Sequence, residues 1–238
     1  MNYKRYKKEL PYAYTFGIYP TIEVLEKNPG VVEKVFFTDK IKELSGYEKI
    51  IKLCEINKIS YEYNNMFFKT VVEKDNVFAV GVFRKYESLP AENENSVVLI
   101  NPSDGGNLGT VIRTMTGFDV KNLYIVKPAV DIFHPEVVRA SMGALFQIKF
   151  KYLGGLEEVR KIFSKSAKNI YCFDKSGVDL HEIEIKKPFV LVFGNEGAGL
   201  DKNQFGDGSR VVSIPMSDKI DSYNLAVSVG IALFEFSK

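Results

Sequence analysis

The sequence has little cysteine, little histidine and no excess of charge. Two cysteines stand among 238 residues, and neither Cys54 nor Cys172 has a second cysteine or a histidine at ligand spacing. That excludes a disulfide framework and a structural zinc site and leaves two buried free thiols as the expectation. Lys plus Arg number 32 against 30 acids, a net charge of +2. A nucleic-acid binder often carries a larger surplus, so bulk charge argues for no partner. No run of about 18 apolar residues occurs, and the opening MNYKRYKKEL lacks the apolar core of a signal peptide. A cytoplasmic protein without a membrane span is expected. Absent too are G-x-G-x-x-G, GK[ST] and G-x-S-x-G, which removes the dinucleotide fingerprint, the phosphate loop and the hydrolase elbow. Asp131, His134 and Glu136 do not have a metal-ligand spacing, so no metal is expected.

What is present is a repeated alternation of strand and helix signals. In the first part, helices are read at 21–27, 47–58 and 65–72, and strands at 32–37, 60–63 and 77–83. The stretch 87–95, ESLPAENEN, is polar and without periodicity, and reads as a linker. Beyond it, strands are expected at 97–100, 123–126, 170–173, 189–193 and 211–214. Helices are expected at 107–115, 135–142 and 154–167, and again from Ser222 onward. The fold class is therefore α/β: a small α/β domain over 1–86, a linker over 87–95, and a mostly parallel-sheet domain over 96–238. A cluster of Lys4, Arg5, Lys7 and Lys8 precedes all of this and reads either as a solvated tail or as an RNA contact.

Three segments carry residue types suited to chemistry. In NPSDGGNLGTVIR, residues 101–113, Asn107 is placed to cap a helix that carries Arg113 on its surface or at a site. In HPEVVRASMGALF, residues 134–146, His134 reads as a helix-opening residue, and Arg139 as an RNA contact, a dimer contact or a salt-bridge partner. In PFVLVFGNEGAGL, residues 188–200, an apolar strand runs straight into a glycine turn whose bare backbone can approach a ligand at Gly194. Val-Val-Ser-Ile-Pro-Met then repeats the strand-to-loop pattern, and Ser222-Tyr223-Asn224 opens a helix rich in small residues. Glu196 alone could be a solvated acid, and Ser222 with Asn224 only a helix cap. Two neighbouring strand ends thus present loops at one sheet edge, where open α/β sheets bind ligands.

The order of these pieces adds what none carries singly. N-x-G-x-x-x-R at Asn107, Gly109 and Arg113, then VVRASMGALF, F-G-N-E-G-x-G-L and I-P-M with S-x-N closely resemble the three motifs of the SpoU-type RNA 2′-O-ribose methyltransferases of the SPOUT class. The resemblance covers about 97–238; more weakly, 1–86 is similar to the small RNA-binding domain that often precedes it. It implies a C-terminal deep trefoil knot, an exception to unknotted topology, and S-adenosylmethionine bound at Gly194, Leu200, Ile214, Met216, Tyr223 and Asn224. It implies catalytic roles for Arg113, Asn107, Glu196, Ser222 and Asn224, with Arg139 toward RNA. It also implies a homodimer through the catalytic domain, with the small residues of the last helix allowing close packing. Ribosomal RNA is the expected substrate, with transfer RNA or a non-enzymatic RNA-binding role as alternatives. Tyr223 departs from the leucine common at that point of the third motif, and its hydroxyl needs a partner if buried.

Overall fold

The computed structural model describes residues 3–72, 76–91, 93–163, 169–195 and 208–238. In chain order the first elements are β1 (Tyr12–Phe16), α1 (Ile18–Lys27), β2 (Val32–Phe37), α2 (Tyr47–Asn57), β3 (Tyr61–Tyr63), α3 (Asn65–Val71) and β4 (Ala79–Arg84). There follow β5 (Ser96–Ile100), α4 (Gly105–Gly117), β6 (Asn122–Val126), α5 (Pro135–Ala140), β7 (Lys149–Leu153) and α6 (Leu156–Phe163). β8 (Asn169–Asp179), β9 (Phe189–Phe193), β10 (Ser209–Ser213) and α7 (Leu225–Ser237) complete the chain. Two compact units result: Met1–Tyr86 with Asp131–Gln147, and Glu87–Val130 with Ile148–Lys238.

The first unit holds a four-stranded sheet in the order β1-β4-β2-β3, antiparallel except for the β2–β3 pair. One face is aromatic: Tyr12, Tyr14, Phe36, Phe67 and Phe68 pack with Val80 and Val82, and the Phe36 and Phe67 rings stack at 3.8 Å. The segment 131–147 belongs here, its Phe133 and Phe146 rings meeting Phe83 at 5.7 and 5.2 Å. Gly143 in that segment has φ +88 and lies where a Cβ would strike the Glu23 side chain, so only glycine fits.

The second unit is a six-stranded sheet in the order β10-β8-β9-β5-β6-β7, every pair parallel. Period-two alternation sorts its residues: Val98, Ile100, Tyr124, Val126, Val190 and Val192 face one way with Val159 and Phe163 of α6. α7 lies against β8 and β9, with the Phe236 ring 4.7 Å from Tyr171 and 5.1 Å from Phe189. The segment 87–95 is tied down within this unit. Phe150 N–H donates to the Ser88 carbonyl at 2.6 Å, Ala91 N–H to Asn122 Oδ1 at 2.9 Å, and Phe189 N–H to Asn95 Oδ1 at 3.1 Å. β10 pairs with β8 across a register shift between Val211 and Val212, which Gly177 permits: a Cβ there would sit 2.5 Å from the Val212 backbone.

Both cysteines are buried, and burial pushes each thiol up to about 12. Among the described residues no helix is long and apolar enough to cross a membrane, and no cluster of metal-ligating side chains occurs.

Candidate active site

Because β5, β9 and β10 are parallel, their C-terminal ends open on one edge of the sheet. Leaving β5, Asn101 takes φ +50, in the left-handed region that asparagine tolerates, and turns the chain toward α4. Leaving β9, the chain reaches Gly194 and Asn195, whose side-chain amide donates to the Asn101 carbonyl at 3.1 Å. The two loops are thereby joined. Leaving β10, Ile214 is buried and Met216 half-buried, and Tyr223 Oη donates to the Pro215 carbonyl at 3.2 Å, closing the loop that leads to α7.

The start of α4 is capped differently from the sequence reading, and that of α7 as read. Asp104, not Asn107, caps α4, its Oδ1 accepting from the Asn107 N–H at 2.6 Å. Asn107 is the third residue of α4, and its backbone N–H rather than its side chain is used by the cap. Asn224 caps α7, with Oδ1 accepting from Ala226 N–H at 2.9 Å and Val227 N–H at 3.4 Å. The same amide's Nδ2 donates to Asn107 Oδ1 at 2.9 Å. One side chain therefore caps one helix and grips the start of another, 117 positions away. The N-termini of both helices end at this edge, and their unsatisfied N–H groups and dipoles favour negative charge there.

Of the expected residues, the fold brings together Asn107 with Asn224, and Gly194 with the loop ends beside it. Arg113 is exposed on α4, with no side-chain partner among the described residues. Six positions beyond Asn107, it lies about 9 Å along the axis and roughly a third of a turn around it. Ser222 is exposed and Tyr223 half-buried. Arg139 is exposed on α5, within the first unit rather than at this edge. Glu196 and Leu200 lie outside the described residues. Asn101, Asp104 and Asn195 were missed as site-builders; the signal for Asp104 was its position three residues before Asn107.

Several small residues of α7 pack within the chain. Ala226 and Ala232 are buried, and Gly230 faces Thr114 of α4. The exposed face of α7 is instead Val227, Ile231 and Phe234, spaced as one helical stripe.

The residues at this edge suit an adenosyl sulfonium ligand. Bare backbone at Gly194 and the apolar side chains of Ile214 and Met216 offer contact to an uncharged ring system, and the loop that carries them is held shut by the Tyr223 bond.

Comparison with known proteins agrees with this geometry. The model of the SpoU rRNA Methylase family matches residues 94–234. An uncharacterised tRNA/rRNA methyltransferase of Synechocystis is 29% identical over 212 residues, covering 88% of this chain and 72% of that protein. A 23S rRNA (guanosine(2553)-2′-O)-methyltransferase of Bacillus subtilis is 25% identical over 214 residues, 90% of this chain and 84% of its own. The crystal structure of an AdoMet-bound rRNA methyltransferase from Sinorhizobium meliloti superposes with a TM-score of 0.80 at 28% identity, covering 94% of this chain and 86% of that one. With its strand order, its joined loops and a family match over more than half its length, the chain belongs to the SpoU rRNA methylase family.

Proposed function

We propose that this chain transfers the methyl group of S-adenosylmethionine to a ribose 2′-hydroxyl in RNA, with ribosomal RNA as the substrate. The 2.9 Å bond from Asn224 to Asn107 carries the reading, because it unites the polar residues of the first and third motifs at one sheet edge. Only ribose offers the 2′-hydroxyl, which makes RNA the acceptor. The Bacillus subtilis relative, named for ribosomal RNA 2′-O-methylation, supports that substrate over transfer RNA.

Gly194, Ile214, Met216, Tyr223 and Asn224, with Leu200, would hold S-adenosylmethionine, which supplies an electrophilic methyl group when bound. The acceptor hydroxyl is a weak nucleophile while protonated. Arg113 orients the 2′-oxygen and stabilises the negative charge developing on it, while the hydroxyl proton passes to water, the new O–CH3 bond replaces the S–CH3 bond, and S-adenosylhomocysteine leaves. Ser222, Asn224 and Glu196 position that oxygen, and Asn107 holds the loop after β5.

A second copy of the chain completes the assembly. Thr110 and Arg113 form an exposed stripe on α4, and Val227, Ile231 and Phe234 an exposed stripe on α7. The Thr114–Gly230 contact makes the two stripes neighbours. Phe234 is 58% exposed, and a partner seated on such an apolar stripe removes it from water beside Arg113. The return of the chain from edge strand β10 to pack α7 on α4 supports a knotted C-terminus. Residues 1–86 bind RNA and 96–238 catalyse, joined through 87–95, with Arg139 contacting RNA. The cytoplasm, where ribosomal RNA is modified, is the place of action.

Incubation with methyl-labelled S-adenosylmethionine and unmodified large-subunit ribosomal RNA tests the reading. One nucleotide should become resistant to alkaline cleavage at its 3′ phosphodiester. Label that enters a base, or no label at all in RNA, overturns it.

A further inference from the structure

We propose that residues 3–10 are a fixed cationic arm that grips the phosphate backbone of the RNA substrate. The inference rests on the RNA methyltransferase reading above and names a surface for it. A basic N-terminal stretch ordinarily roams in solvent. Here its backbone is held to the rest of the chain at three points and turned on itself at a fourth. Lys4 N–H donates to Tyr12 Oη at 2.9 Å, and Tyr14 Oη donates to the Lys4 carbonyl. Leu10 N–H donates to the Lys7 carbonyl at 3.1 Å, and Lys85 Nζ to the Lys8 carbonyl at 2.7 Å.

Two aromatic side chains anchor it further. The Tyr3 ring meets Tyr12, Phe36 and Phe67 edge-on at 5.3, 5.7 and 6.2 Å, and its hydroxyl donates to Glu33. The Tyr6 hydroxyl donates to Asp131 at 2.6 Å, and its ring lies 5.5 Å from that of His134. With residues 3 and 6 turned inward, Lys4, Arg5, Lys7 and Lys8 are all exposed. Lys4, Lys7 and Lys8 have no ion-pair partner among the described residues. The nearby carboxylates are engaged otherwise: Glu33 by Tyr3, and Asp131 by Tyr6 and by Lys85 at 2.7 Å. Glu9 is the one acid in the arm itself.

An anchored backbone presenting unpaired cations suits a polyanion, because less ordering entropy is lost when it binds. Phosphate contacts position a nucleic acid without reading its bases, so the arm contributes affinity and leaves target choice to the rest of the protein. It adjoins α5, the helix that carries Arg139, since His134 at the start of α5 touches Tyr6.

The test compares the full-length Lys4→Gln/Lys7→Gln/Lys8→Gln variant with a Lys40→Gln/Lys52→Gln/Lys69→Gln control that removes equal charge from exposed positions of the same unit. The probe is an in vitro transcribed, unmodified large-subunit ribosomal RNA, titrated at several salt concentrations. Each lost phosphate contact lowers the slope of log K against log salt by about 0.7 to 0.9. The arm variant should lose about 2.1 to 2.7 from that slope, so the wild-type advantage shrinks roughly 20- to 40-fold between about 50 and 200 mM salt. KM for RNA should rise while kcat holds, and Lys4→Arg/Lys7→Arg/Lys8→Arg should restore the wild-type slope. An arm variant indistinguishable from the control, beside a wild type that methylates RNA, overturns the arm alone. An arm variant that loses only its retention on anionic phospholipid vesicles also overturns it, in favour of a membrane contact. A wild type that binds RNA without methylating it overturns the enzymatic reading and leaves the slope to judge the arm.

Discussion

The two units of this chain dispose of their polar groups in opposite ways. In the first, β1, β2 and β3 run one way and β4, lying between β1 and β2, runs against them. The polar side chains of this unit are consumed internally: Thr15 and Thr21 hydroxyls bond at 2.7 Å in a fully buried site, and Lys85 pairs with Asp131. In the second, six parallel strands deliver every strand's C-terminal end to the same edge. The interior there mixes aliphatic and aromatic side chains, and asparagines gather where the loops emerge: Asn101, Asn107, Asn195 and Asn224. Polar side chains that tie loop to loop at the edge shared by parallel strand ends make the second unit the place for chemistry.

The comparison predicts that substitutions separate by unit, with turnover lost in one and stability in the other. Arg113→Lys should have the largest effect, about 10² to 10³ in kcat, because lysine lacks the planar fork that orients and stabilises an oxyanion. Its melting temperature should not move, since the side chain is exposed. A rate near wild type would remove Arg113 from the mechanism.

Gly177→Ala strikes the second unit's framework instead. Its Cβ meets Val211 and Val212 backbone atoms within 2.6 Å, and main chain cannot swing aside as a side chain does. A loss of about 3 kcal/mol in chemical denaturation is expected. Because β10 leads directly to Ile214, affinity for S-adenosylmethionine should fall with it. Unchanged stability would mean that the β8–β10 register is looser than the pairing implies.

Asp131→Asn tests the first unit. Burial raises this carboxyl, but hydrogen bonds from Lys85, Tyr6 and the Phe133 N–H outweigh that and hold it below the usual carboxylate range. A depressed value in the folded state means that the stabilisation is present above the unfolded pKa, about 3.9, and is lost as pH falls through the folded one. The variant should be destabilised by about 2 kcal/mol at neutral pH, less than for a fully buried pair because Lys85 keeps 16% of its side chain exposed. The gap in melting temperature should close as pH drops below about 4. Methyl transfer at low temperature should be retained; its loss without a stability change would undo the division between units.

The boundaries of that division are only partly readable from residues. Phe189–Phe193 is evident as a strand because it is an unbroken apolar run that ends in a glycine turn, and Val32–Phe37 because its Val-Phe-Phe close is rich in β-formers. Tyr12–Phe16 and Lys149–Leu153 are not. YAYTF mixes polar and apolar types although its first four residues are buried, and KFKYL is a half-solvated edge strand too short to declare a period. The motif residues were legible through the family resemblance. Their convergence was not, since the Asn107–Asn224 bond depends on strand order, which local pattern does not encode. The cap on α4 was misread for a local reason: Asp and Asn cap equally well, and Gly105-Gly106 between them accommodates a start at either.

The smallest predicted effect is at Tyr223, where the chain departs from the family's leucine. Its hydroxyl reaches the Pro215 carbonyl at 3.2 Å and ties one end of the loop between β10 and α7 to the other. A neutral hydrogen bond on a half-solvated loop is worth about 0.5 to 1.5 kcal/mol. Tyr223→Phe keeps the ring and removes only that tie, so global stability should barely change. The expected cost falls on binding, because a loop that must be ordered by its ligand binds it more weakly by the energy of the missing bond. KM for S-adenosylmethionine should therefore rise about two- to tenfold at constant kcat. A fall in kcat with KM unchanged would assign the hydroxyl to the reacting atoms, and a variant equal to wild type in both would mean the loop holds its shape through its backbone, as a leucine there requires.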